Sequence, residues 1–73
     1  MHLSDTEIQT IIANNCGNPP KPELLEYHIW LNESKLKFYT FNPVHKGEVQ
    51  NEALDSYRRL IRAGKDLLKQ VIN

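Results

Sequence analysis

Residues 25–41 read LEYHIWLNESKLKFYTF, and the rhythm of that stretch decides the fold expected for the whole chain. From Leu25 to Leu31 the residues alternate, with Leu25, Tyr27, Ile29 and Leu31 on one side and Glu26, His28 and Trp30 on the other. A period of two is that of a half-buried strand. Asn32-Glu33-Ser34 is a polar break, after which Leu36, Phe38 and Thr40 stand opposite Lys35, Lys37, Tyr39 and Phe41. Two alternating runs separated by a polar turn predict an antiparallel hairpin. Pro22 followed by Glu23, Leu24, Leu25 and Glu26 is also a sequence that can open a short helix, so the first residues of this strand stay open.

Upstream of the hairpin, Ser4-Asp5-Thr6-Glu7 matches a capping box, in which the Ser4 hydroxyl accepts from the Glu7 amide and the Glu7 carboxylate accepts from the Ser4 amide. Leu3 and Ile8 occupy the staple positions around it. The pattern predicts a helix from Asp5 to about Asn14 that buries Ile8, Ile11 and Ile12, with Gly17 as terminator. Asn18-Pro19-Pro20-Lys21-Pro22 then forms a stiff connector, since proline lacks an amide donor and favours extended backbone before it.

Downstream, Glu48 to Asn73 reads as one amphipathic helix. At about 100° per residue, Val49, Ala53, Leu54, Tyr57, Leu60, Ile61, Gly64, Leu67, Leu68, Val71 and Ile72 fall within an apolar arc of roughly 140°. Arg58, Arg62, Lys65 and Lys69 gather along one flank of that arc, while Glu48, Asp55, Arg59 and Asp66 lie on the far side. The order is therefore α-β-β-α, an α+β fold in a single domain over residues 1–73, with both helices covering the apolar face of the hairpin. A lone two-stranded hairpin is marginal in water, so pairing of two hairpins into one sheet is the other way to complete it.

A helix of 26 residues spans about 39 Å, whereas a compact chain of this length is about 30 Å across. One end is expected to project, and Leu67, Leu68, Val71 and Ile72 would then expose an apolar patch suited to self-association. Gly64, near the centre of the arc, costs about 1 kcal/mol relative to alanine. Its presence points to a close crossing there, by a second copy or by the chain's own first helix.

A core from 73 residues supplies only a few kcal/mol of net stability, and leaves no room for a buried multi-residue active site. Charged residues at 25% and hydrophobic ones at 40% give an ordinary globular balance. No apolar run approaches the roughly 20 residues that span a bilayer, and Met1-His2-Leu3-Ser4-Asp5 has neither basic leader nor apolar core of a secretory signal. With the single Cys16, which cannot form an internal disulfide, this points to a reducing cytoplasm.

Net charge is zero, but residues 1–33 hold five acids against one lysine and residues 34–73 hold eight bases against four acids. Such polarity favours head-to-tail pairing or neutralisation within the fold, and lacks the overall basic excess of a dedicated nucleic-acid binder. Cys16, His2, His28 and His45 are scattered without the paired spacing of a zinc site, and the acids at Glu48, Glu52 and Asp55 complement a helix dipole. No cofactor, metal or enzymatic activity is expected.

What remains is surface chemistry. Trp30, Tyr39 and Phe41, with His28 beside them, would gather on the outer face of the hairpin near Lys35 and Lys37. Aromatic side chains dominate binding hot spots. The expectation is thus a small cytoplasmic protein-interaction module, a regulator, adaptor or inhibitor, anchored by those rings and steered to an acidic protein by Arg58, Arg62, Lys65 and Lys69. Homodimerisation would run through the hairpin or through Gly64, Leu67, Leu68, Val71 and Ile72. The competing expectation is nucleic-acid binding, with the basic flank on phosphates and the hairpin rings on bases.

Overall fold

The computed structural model describes residues 2–72, which form three helices: α1 over Asp5–Cys16, α2 over Pro22–Phe41 and α3 over Gly47–Ile72. There is no strand among the described residues, so the expected α+β fold and its hairpin are replaced by a small helical bundle. The residues assigned to the two strands and their turn form the single helix α2.

The reason lies in how α2 distributes its apolar residues. Leu25, Ile29, Asn32, Leu36 and Tyr39 recur at steps of four and three, the seam spacing of helices that pack side by side. Tyr27, Trp30, Phe38 and Phe41 lie on the opposite side of the same helix. Apolar groups on both faces cancel the one-sided pattern by which a helix is recognised, and what survives along the chain is local alternation. Asn32-Glu33-Ser34 contains no glycine to make a tight hairpin turn, so the helix runs through it. Pro22 opens the helix at a position where its missing amide costs nothing, with Glu23 in the first turn favourable to the dipole.

At its other end α2 is closed by side chains. Asn42 donates from both its amide and its side chain to the Phe38 carbonyl, and Gln50 Nε2 donates to the Tyr39 carbonyl at 2.8 Å. Residues 42–46 then turn the chain back, and Gly47, at φ 57°, begins α3 in a conformation that disfavours a side chain. The last residue of the expected helix, Asn73, lies outside the described residues.

α1 begins at the expected capping box, with Ser4 N donating to Glu7 Oε1 at 2.9 Å and Glu7 N donating to Ser4 Oγ at 3.1 Å. The Ser4 amide, and secondarily the Ser4 hydroxyl, hold the Glu7 carboxyl below its ordinary value. Ile8, Ile12 and Cys16 point inward to join Leu25 of α2 and Leu60 of α3 in one buried cluster. Burial pushes the Cys16 thiol up, and its S–H donates to the Leu24 carbonyl at 3.5 Å. Arg59 ties the start of the chain to α3: its guanidinium donates to the Leu3 carbonyl and meets Asp5 Oδ1 at 2.7 Å.

The whole chain measures 39 × 22 × 17 Å, so its long axis matches the length of α3. Leu67 and Leu68, expected on a projecting end, are half-buried against the core cluster. Of the expected apolar patch, Val71 and Ile72 are exposed.

Candidate interaction surfaces

The face of α2 toward α3 is closed by a polar lock. His28 is 4% exposed and Asn32 7%. Imidazole Nε2 lies 3.3 Å from the Leu60 carbonyl, which can only accept, so Nε2 carries the proton and Nδ1 accepts from Asn32 Nδ2 at 3.3 Å. The same Asn32 amide donates to the His28 carbonyl at 2.8 Å. Every buried side-chain nitrogen and oxygen among the described residues has a partner.

Gly64 sits directly against this lock. A Cβ there would stand 3.0 Å from His28 Cδ2 and 3.1 Å from Ile29 Cγ1, so close that one of them would have to give by a few tenths of an ångström. The close crossing that Gly64 implies is therefore made within the chain by α2, rather than by α1. His28, expected on an outer surface, is a structural residue of this crossing. Tyr39 also departs from the expected aromatic trio: it is half-buried, stacked on Tyr57 with ring centres 5.8 Å apart and planes 12° from parallel. Burial, and secondarily the Tyr39 phenol, raises the Tyr57 hydroxyl above its ordinary value.

Two exposed surfaces hold most of the residues expected to bind a partner. The first is a groove of about 600 Å³ between α2 and α3. Lys37 from α2 and Arg58, Arg62, Lys65 and Lys69 from α3 line it above a floor of Leu36 and Ile61, with Glu33 and Asp66 as the only acids. The four bases read from the sequence as one flank of α3 are all exposed along this groove. Lys37, expected instead beside the aromatic residues of the hairpin, and the apolar floor join this flank only once α2 lies beside α3 as a helix. Lys65 Nζ meets Glu33 Oε2 at 3.3 Å across the groove, an exposed pair of small energetic weight.

The second surface is the outer face of α2. Tyr27 and Trp30 are each 59% exposed, Phe38 57% and Phe41 76%, and with Ser34 they fall within an arc of about 80°. Tyr27 and Trp30 touch, with ring centres 5.9 Å apart. Ser34, Lys37, Phe38, Phe41 and Asn42 line a shallow hollow of about 370 Å³ further along. Trp30 and Phe41 thus keep the exposed positions expected of anchors, and Tyr27 and Phe38 join them in place of Tyr39.

Among the described residues, no helix is long and apolar enough to cross a membrane, and no group of three or more His, Cys, Asp or Glu side chains could hold a metal ion. Comparison of the chain with family models, with curated proteins and with solved structures finds no match.

Proposed function

We propose that this chain is a small helical interaction module that docks an acidic, amphipathic segment of a protein partner in the α2–α3 groove. It acts as a regulator, adaptor or inhibitor by occupying that partner's surface. The observation that carries the reading is the pairing of five cationic side chains with an apolar floor at Leu36 and Ile61. Cations alone attract any polyanion. A floor that can take aliphatic side chains favours a ligand with apolar groups on one face and carboxylates along its edges, which is the chemistry of an acidic helix. The cations would set the rate and selectivity of encounter, and the floor would hold the complex. The setting we propose is the cytoplasm, where Cys16 stays reduced.

The test is fluorescence anisotropy with two probes: a labelled peptide alternating Leu and Glu at helical spacing, and a labelled single-stranded oligonucleotide. The peptide should bind, and Arg62→Glu with Lys65→Glu should weaken it at least tenfold. Leu36→Ser, at the half-buried part of the floor, should weaken the peptide without affecting any oligonucleotide binding. Preferential oligonucleotide binding, with a log–log salt slope near −3 for about four phosphates, would replace this reading by a nucleic-acid one.

A further inference from the structure

We propose that the outer face of α2 pairs with the same face of a second copy, antiparallel, about a two-fold axis passing beside Ser34. The contact shares only Glu33 and Lys37 with the rim of the α2–α3 groove, and its tests leave those two residues and the groove's α3 bases unchanged.

The first argument is the order of residues. Tyr27, Trp30, Ser34, Phe38 and Phe41 follow one another at steps of three, four, four and three, so the exposed row reads the same in both directions from Ser34. A two-fold contact between antiparallel helices requires such a row, because each residue meets the one equally far on the other side of the axis. Here Tyr27 meets Phe41 of the second copy, Trp30 meets Phe38, and the small Ser34 meets itself. A small residue at the axis lets the helices approach while the rings interdigitate on either side.

Shape is the second argument. Toward its N-terminal end the row carries the touching pair Tyr27 and Trp30, and toward its C-terminal end it carries the hollow bounded by Ser34, Phe38 and Phe41. Antiparallel apposition places the ring pair of each copy over the hollow of the other, twice per dimer. Parallel apposition would set ring pair against ring pair and hollow against hollow.

Charge and area agree. Glu33 and Lys37 lie on the same flank of the row, and antiparallel pairing about Ser34 brings Glu33 of one copy within about 3 Å along the axis of Lys37 of the other. At about 200 Å² per aromatic side chain and the observed exposures, the four rings alone offer roughly 500 Å² per copy. A standard stable interface takes about 800 Å² per partner, which the flanking residues can complete.

Trp30 is the only tryptophan, so its emission reports on this contact directly. The experiment is sedimentation velocity on the full chain from about 1 to 200 µM, with tryptophan emission followed over the same range. We expect twice the chain mass at high concentration and a red shift of emission on dilution, with loss of the dimer in Phe41→Lys and in Trp30→Glu at unchanged helical circular dichroism. Ser34→Cys should cross-link under mild oxidation while the wild type, whose only thiol is buried, does not. A mixture of Tyr27→Cys and Phe41→Cys should give the mixed disulfide in preference to either homodisulfide. Chain mass at all concentrations, or a dimer that survives Phe41→Lys, would overturn the proposal. A dominant Tyr27→Cys homodisulfide would overturn the antiparallel arrangement.

Discussion

The inner and outer faces of α2 carry comparable amounts of apolar side chain and meet opposite fates. On the inner face Leu25, His28, Ile29 and Asn32 are buried, and the buried polar groups are joined by hydrogen bonds. On the outer face Tyr27, Trp30, Phe38 and Phe41 stay more than half exposed. Hydrophobicity alone does not decide between them. The inner row follows the three-four seam that α3 answers with Tyr57, Leu60, Gly64 and Leu67, and Gly64 admits His28 at a distance that a Cβ would crowd. Among the described residues, no helix covers the outer row.

The sharpest way to break the contrast is to truncate one residue on each face. Leu25→Ala removes a fully buried side chain from the common cluster and should cost about 3 kcal/mol, read by urea denaturation. Asn32→Ala leaves His28 Nδ1 without a donor and should cost about 2 kcal/mol. Gly64→Ala tests the crossing: helix propensity gains about 1 kcal/mol, but a methyl pressed on the pinned His28 ring costs roughly 2, so the variant should be about 1 kcal/mol less stable. Phe41→Ser, on the outer face, should change the stability of the monomer by less than about 0.5 kcal/mol while abolishing any dimer.

The smallest effect concerns pH. Because burial raises the Cys16 thiol, its neutral form is favoured in the folded chain. That contribution is complete below the ordinary thiol value of about 8.5 and is lost as pH rises through the raised folded value. Urea midpoints measured from pH 7 to 10 should therefore fall more steeply in the wild type than in Cys16→Ala, and the thiol should react with a disulfide reagent only as the protein unfolds.

The same contrast explains which parts of the fold could be read in advance. α1 is announced by Ser4 and Glu7, whose reciprocal bonds need nothing beyond the first turn. α3 is announced by apolar residues confined to one arc and bases confined to its flank. α2 hides because its second apolar row fills the face that would normally be polar. In a strand reading Leu25, Tyr27, Ile29 and Leu31 share a side, whereas in the helix Leu25 and Ile29 turn inward and Tyr27 turns out. The spacing of Leu25, Ile29, Asn32, Leu36 and Tyr39 held the answer, masked by a polar residue at its centre. The basic flank of the groove was legible for the same reason as α3, but its floor and Lys37 depend on α2 being a helix.

The dependence of α2 on α3 bears on how the protein comes into being at the ribosome. Helices in proteins draw most of their stability from packing against a partner, and the seam that steadies α2 begins near Tyr57 and runs to Leu67. At about 10 residues per second, Phe41 waits some two to three seconds before the partner positions have been made. The aromatic-rich α2 thus finds its place only after the Tyr57–Leu67 stretch of α3 has been made, although it is synthesised first, and the inner face of α1, which packs on Leu25 and Leu60, waits with it.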